Sequence, residues 1–386
     1  MNRLLMVSFN QMGKGTYWRA FGFGQELARR GYDVTLLAVS PRQKHRFVEH
    51  CSSGVRVVET PDLHPRSGYD LWDMLARIGW LHGKYFDLVH AFEARPVVIA
   101  PSLYLRKLRN VPLVMDWCDW FGRGGSVEER PNPIVRTLLR PVETFFEEKF
   151  RRQATATTVI NSVLCEKAIR LGIPAGQITL LPNGANVTEI RPQNRDEVRR
   201  RLGLPAEVPI VAYTGAIFHR DAALMAATFN KIQASLPATR LLLIGYFNVE
   251  IERLLPDSTA VIRTGPVNYA QLADFVAAGD VGWLPLRDSG ANRGRFPMKI
   301  NDFIAAGRPL VVTDVGDVGT LVRENQIGWA VEDRPGPLAR ATLELLASPR
   351  LCREMGQRAR HLAETEFAWP VVTNRLESLY LDVGLG

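Results

Sequence analysis

Lys299 and Asp302 stand three positions apart in the segment 292–314, NRGRFPMKINDFIAAGRPLVVTD, and a cation one turn from a carboxylate is a pairing that can do chemistry. If a helix starts near Pro297, the i, i+3 spacing puts both side chains on one face. Proline suits a first helical turn, where its missing N–H would have no partner anyway. The apolar run 303–306 lets such a helix bury itself, Gly307 fits a left-handed cap, and Pro309 stops the helix from continuing. Residues 310–313 then read as a buried parallel strand. A loop feeding a helix N-terminus that carries a cation and a carboxylate is a place to hold a phosphorylated sugar-nucleoside. A second candidate cluster is VMDWCDWFGRGG, residues 114–125. Asp116 and Asp119 end a strand and face a glycine loop, where they are placed to bind sugar hydroxyls, with Trp117 or Trp120 stacking on a sugar face. The alternative is that Asp116 caps the loop and the tryptophans fill a core.

The elements that must position these residues alternate along the chain. Strand patterns at 4–9, 34–38, 55–58, 88–91, 113–115 and 157–160 are interleaved with helical patterns at 17–30, 69–81 and 95–108. Such alternation implies parallel strands with helices on both faces. After the apolar run 178–181, the turn Pro182-Asn183-Gly184-Ala185-Asn186 and the arginine-rich stretch 191–201 mark a composition shift, a domain boundary. A second series follows, with strands at 210–213, 240–244, 260–263 and 281–284 and helices at 222–236 and 271–278. Its strands run into Gly215, Gly245 and Gly265-Pro266, and ligands of open parallel sheets bind at those carboxyl ends. Gly215, Gly265 and Val267 are therefore placed with the donor. A helix-rich region, 337–381, closes the chain.

Composition limits the class. A chain of 386 residues is long for one core, so two domains are expected. With 46% hydrophobic and 23% charged residues it has a globular composition. Cys51, Cys118, Cys165 and Cys352 are far apart with no C-x-x-C spacing, which indicates neither a zinc site nor a disulfide framework and suits a reducing cytoplasm. The N-terminal apolar run is too short for a signal peptide, and no stretch approaches the roughly eighteen apolar residues of a membrane span. The net charge of +8 is scattered, without a zinc-finger or RNA-binding aromatic motif, so no nucleic-acid partner is expected. Residues 134–154, IVRTLLRPVETFFEEKFRRQA, mix apolar and basic positions as an interfacial helix does. Pro141 is expected to interrupt that helix, and Glu143, Glu147 and Glu148 dilute its charge. Peripheral attachment to the inner face of a membrane and an ordinary surface helix both stay open.

The two halves, the turn NGAN between them and the pattern P-x-K-x-x-D-x-x-A-x-G-x-P at 297–309 resemble the GT-B glycosyltransferases, specifically the retaining family 4. Further matching pieces are QMGKGTYWRA, ELARRGYDVTLL, FDLVHAF, YTGAIFHRD, LLLIG, TGPVNYAQL and ETEFAWPVV, in an order that covers essentially the whole chain. The resemblance implies an α/β protein of two Rossmann-like doubly wound domains facing a central cleft. The expected domains are an acceptor-side unit at 1–186, with 367–386 packing back on it, and a nucleotide-sugar unit at 187–366. It also implies transfer of a hexose from a nucleotide-sugar to a hydroxyl of a glycan, a lipid-linked or a small-molecule acceptor, with retention, without a metal and without a cofactor.

Laid on matching positions, the resemblance puts Asp302 on the ribose hydroxyls, here Asp where Glu is usual. Relatives carry a Glu about eight residues earlier, and that position is Gly294; Asn292 and Asp288 remain in that loop as contacts to the donor. The departing diphosphate needs cations. Lys299 and Arg220 are assigned to it, with Arg220 in the loop after the strand at 210–213; its alternative is pairing with Asp221 on a solvated turn. Gly13 and Gly15 resemble the glycine loop that lets backbone approach the donor phosphate, with Tyr17 and Arg19 facing the acceptor. Tyr17 has a packing alternative. Cys118 falls where relatives have histidine and Asp119 on the neighbouring acid. Asp116, Asp119, Arg220 and Lys299 are the candidate catalytic residues, and Glu93 and Trp117 join Tyr17 and Arg19 as acceptor or sugar contacts. A nucleotide-sugar epimerase and a non-catalytic nucleotide-sugar-binding protein are the alternative functions.

Overall fold

A computed structural model describes residues 2–63 and 68–385. The chain divides into two compact units, one made of 1–184, 294–296 and 369–386, the other of 185–293 and 297–368. The first holds β1 (Arg3–Gln11), α1 (Thr16–Arg29), β2 (Asp33–Val39), β3 (Val48–Ser52), β4 (Val55–Thr60), α2 (Leu71–Leu81) and β5 (Leu88–Phe92). It continues with α3 (Pro96–Arg109), β6 (Leu113–Trp117), α4 (Pro133–Lys149), β7 (Ala156–Val159), α5 (Ser162–Arg170) and β8 (Ile178–Leu180). Its sheet runs β3-β4-β2-β1-β5-β6-β7-β8, parallel except for β3 against β4. β3 escapes the sequence pattern because its residues are half-buried or exposed and it forms the edge of the sheet, paired with β4 alone.

The second unit holds α6 (Arg195–Leu202), β9 (Ile210–Thr214), α7 (His219–Ser235), β10 (Arg240–Ile244), β11 (Val261–Arg263), α8 (Tyr269–Ala278) and β12 (Val281–Leu284). Then come α9 (Gly290–Arg293), α10 (Lys299–Ala305), β13 (Leu310–Thr313), α11 (Gly316–Glu324), β14 (Gly328–Val331), α12 (Pro335–Ala347) and α13 (Pro349–Leu362). The six strands are parallel in the order β11-β10-β9-β12-β13-β14, the doubly wound order in which the crevice beside β9 and β12 takes ligands. α14 (Trp369–Asp382) returns to the first unit. Its Val372, Leu376 and Tyr380 join the core under α1.

Glycines make the room for that return. A Cβ at Gly22 would lie 2.4 Å from the Trp369 ring and one at Gly184 only 2.1 Å, so the NGAN turn is a seat for an indole as well as a boundary. α10 ends as its residues dictate: Gly307 adopts φ 64°, its N–H donates to the Ile304 carbonyl and that of Arg308 to Phe303, a Schellman cap. The helix begins at Lys299, two residues after Pro297.

α4 corrects an expectation, since it runs unbroken through Pro141. The proline ring sits on the exposed side, and the lost backbone bond, a cost of about 3 kcal/mol, is offset on the opposite side, where Glu143 and Glu147 are buried in polar contacts. Those two acids therefore leave the solvent face to Ile134, Leu138 and Phe145, each at least half exposed.

Candidate active site

In the second unit the carboxyl ends of β9, β10 and β11 each turn on a glycine with left-handed φ: Gly215 at 72°, Gly245 at 93° and Gly265 at 67°. Without side chains the three turns expose backbone, and Gly245 and Gly265 bridge one another. Val267, half-buried, precedes the Asn268 cap of α8, whose capping box with Gln271 starts that helix at Tyr269. Lys299, at the start of α10, reaches back to this rim. Its Nζ donates to Tyr213 Oη at 2.7 Å and to the Ala216 carbonyl at 3.1 Å. This half-buried ammonium thus donates to two neutral oxygens at the glycine rim. One turn on, the Asp302 carboxyl is pushed up to about 7 by burial, against the pull of Lys299. Spacing alone brought these two together, and the helix keeps them so.

The loop before α10 is tied down, which the sequence did not disclose. Asp221, in the first turn of α7 and 1% exposed, accepts the Arg287 N–H at 2.7 Å and the Asn292 Nδ2 at 3.0 Å. Asn292, assigned to the donor, is itself buried and spends its amide on Asp221 and the Arg287 carbonyl, so its side chain braces the loop. Asp288 pairs with Arg293. Arg220 is exposed as the second residue of α7 and not in a loop, and the solvated-turn reading of Asp221 fails because that carboxylate is buried. An acid in the first turn of the helix that follows the Gly215 turn was the available signal.

In the first unit β1 leads into Gly13, φ 83°, and Gly15, φ 53°. The turn is preset: the Gly13 carbonyl accepts Trp18 Nε1 at 2.8 Å, and a Cβ at Gly15 would lie 2.9 Å from the Asn10 amide. Tyr17 is buried and stacks on Phe21 with centroids 5.4 Å apart, the packing alternative.

Three further assignments are corrected by burial. Asp116 is fully buried, with Arg19 Nε at 2.8 Å from Oδ2, Nη2 at 2.9 Å from Oδ1, and Thr158 Oγ1 at 2.5 Å from Oδ1. Burial alone would push its carboxyl up, but Arg19 outweighs burial and holds it below its usual value. Arg19 also donates to the Leu181 and Pro182 carbonyls and to Asn183 Oδ1, so it clamps β6 to the NGAN turn and offers nothing to a sugar. Trp117 is enclosed, its Nε1 on Glu147 and its ring 4.0 Å from the Arg151 guanidinium, and no sugar can stack on it.

Glu93, also fully buried, sits at φ 73°, rare for a residue with a Cβ. One carboxylate oxygen accepts the Cys118 and Asp119 N–H groups at 2.7 and 2.9 Å and the Cys118 thiol at 2.7 Å. Burial pushes its carboxyl up to about 8. It shapes the 118–119 backbone from behind. Glu93, Cys118 and Asp119 bring ligand atoms within 4.8 Å of one another, yet with that oxygen occupied and Arg151 at 3.7 Å this is a hydrogen-bonded cluster more than a cation cradle. Asp119 alone of the two aspartates is half-exposed, with no hydrogen bond to its carboxylate among the described residues; burial pushes it up to about 6 against the pull of Arg295. Glu147, one turn beyond Glu143 on the inner face of α4, receives the Phe121 and Gly122 N–H groups and sets the glycine loop. The i, i+4 phase of α4, apolar at 134 and 138 and acidic at 143 and 147, held that signal.

Both units match glycosyltransferase families: residues 15–184 the Glycosyl transferase 4-like domain and residues 208–348 the Glycosyl transferases group 1. This chain is a family 4 glycosyltransferase of the GT-B fold. It is 26% identical to the D-inositol 3-phosphate glycosyltransferase of Thermobispora bispora over 86% of this chain and 75% of that one. Sucrose-phosphate synthase from Thermosynechococcus elongatus has the same fold, with TM-score 0.80, 21% identity and 99% of each chain covered. So does Anabaena HepE, solved with UDP and glucose, with TM-score 0.71, 13% identity and 99% and 100% of the two chains covered. The glycosyltransferase therefore moves a sugar from a nucleotide-sugar to an acceptor. No helix of its described residues is long and apolar enough to cross a membrane.

Proposed function

We propose that this glycosyltransferase transfers a hexose from a nucleoside diphosphate sugar to an acceptor hydroxyl with retention of configuration and without a metal. The observation that carries the reading is Lys299, held by Tyr213 and the Ala216 carbonyl beside the three left-handed glycine turns. The glycine backbone lets a diphosphate approach, and the ammonium meets charge that grows on the leaving oxygen as the sugar–phosphate bond breaks, which is where a fixed cation lowers a barrier. Arg220 adds a second, exposed cation at the start of α7. Asp302 accepts the two ribose hydroxyls from one turn further along α10. On the first unit, Asp119 is the candidate contact to a sugar hydroxyl, on a backbone fixed by Glu93 and Glu147. Nothing in this arrangement calls for a protein nucleophile, so the work is orientation and charge stabilisation.

The acceptor is a hydroxyl presented at a lipid surface. The support is α4, which turns Glu143 and Glu147 inward and leaves Ile134, Leu138 and Phe145 in solvent with Arg136 and Lys149 alongside. The donor reading is tested by turnover: Lys299→Ala should lower kcat/KM for the donor by about 30- to 150-fold, the loss of a charge-assisted contact of about 2–3 kcal/mol. Unchanged turnover and unchanged affinity for UDP, GDP and ADP would remove Lys299 from the site.

A further inference from the structure

A cavity of about 840 Å³ opens in the second unit away from the glycine rim. Pro209, Asp280 and Pro309 line it, and each immediately precedes a strand, β9, β12 or β13, so it lies at the amino ends of the strands whose carboxyl ends carry Gly215 and Lys299. Its volume is that of a small-molecule site. Leu345, Leu346 and Pro349 supply apolar wall.

The electrostatics are unbalanced at one point. Asp280 is shared by Arg195 at 2.5 Å and Arg199 at 2.7 Å, and its carboxylate also takes the Ile210 N–H. Asp196 is engaged with Arg195, and Glu364 with Arg360, whose other nitrogens bond the Val187, Ile190 and Ala305 carbonyls. Arg308 is left over. It donates one nitrogen to the Gln193 and Ala277 carbonyls, has no carboxylate within ion-pair distance among the described residues, and keeps a buried Nε with no partner. A half-buried guanidinium without an ion-pair partner is costly, and desolvation together with Arg195 and Arg199 depresses it to about 10 despite Asp280. Arg353, exposed on α13, lines the same cavity, with Glu207 as the remaining acid on its wall.

We propose that this cavity binds a small phosphate monoester, such as a sugar phosphate, with the phosphate on the Arg308 and Arg353 guanidinium groups and the carbon skeleton against Leu345 and Leu346. A phosphate supplies the missing negative charge, and a guanidinium fork suits its oxygens. The site is independent of the donor reading, because its ligand touches neither Lys299 nor Asp302.

The test uses the full chain with inorganic phosphate, glucose 6-phosphate and glucose at constant ionic strength, followed by calorimetry and by alkylation of Cys352, which lines the cavity. Saturable binding of glucose 6-phosphate, weaker binding of phosphate and none of glucose is expected. Cys352 should be protected while exposed Cys51 is not. Arg308→Gln and the surface variant Arg353→Ala should each weaken binding at least tenfold while UDP affinity stays as in the wild type. Absence of saturable binding, binding unchanged in Arg353→Ala, an unprotected Cys352, or competition by UDP would each overturn the proposal.

Discussion

Replacing Arg19 by methionine keeps most of the aliphatic volume and removes every donor that Asp116 Oδ2 has, leaving Oδ1 with Thr158 alone. The carboxylate stays fully buried. Neighbouring His90 is a poor replacement for the lost charge, because burial, the largest cause, depresses its imidazole, to about 3 beside Arg19. Breaking a buried ion pair from one side costs about 3–5 kcal/mol. The Leu181 and Pro182 carbonyls also lose their guanidinium donor, which puts the expected cost at the upper end. With a urea dependence of about 2–3 kcal/mol per molar, the midpoint for the first unit should fall by about 1.5–2.5 M. A two-unit chain does not unfold in one step. The readout is therefore hydrogen exchange along β6 and α1 during urea unfolding, which isolates the first unit. Asp116→Asn placed in the Arg19→Met background should recover at least about 1 kcal/mol, since the orphaned charge is gone. If both single variants kept the wild-type midpoint while turnover collapsed, the pair would be facing substrate and the burial argument would be wrong.

Asp302 should make nucleotide affinity depend on pH. Its carboxyl is raised to about 7, so the neutral form is the one favoured by the fold. Its contribution to stability is full below the ordinary carboxylate range and is lost as pH rises through about 7. Ribose hydroxyls donate to the ionised form, so affinity for the preferred nucleotide should climb from pH 6 to 8 with proton release, measured by calorimetry in two buffers. Asp302→Asn should flatten that slope, and an equal slope in both proteins would clear Asp302 of the role. For α4, flotation with vesicles containing anionic lipid should recover the protein, and Leu138→Glu should abolish recovery without altering thermal stability; equal recovery of both would detach the helix from any membrane role.

Much of this protein is local physics, and that part is legible in the residues. Strand–helix alternation with glycines closing the strands sets two doubly wound sheets, because helix caps, left-handed turns and period are properties of neighbours along the chain. The same holds for Lys299 and Asp302, whose approach needs only one helical turn, and for Gly307, whose cap is written within six residues. What a carboxylate or a tryptophan does once buried is a property of partners far away in sequence. Asp116 and Asp119 look alike in DWCD, yet one is sealed by Arg19 from 97 positions earlier and the other is half-exposed. Trp117 is enclosed by residues of α4 and the turn after it, and Asn292 is drawn inward by Asp221 across 71 positions. Burial decides whether a polar group is a strut or a ligand, since an enclosed charge must be satisfied by the fold itself, and only the packing of distant elements sets which groups are enclosed.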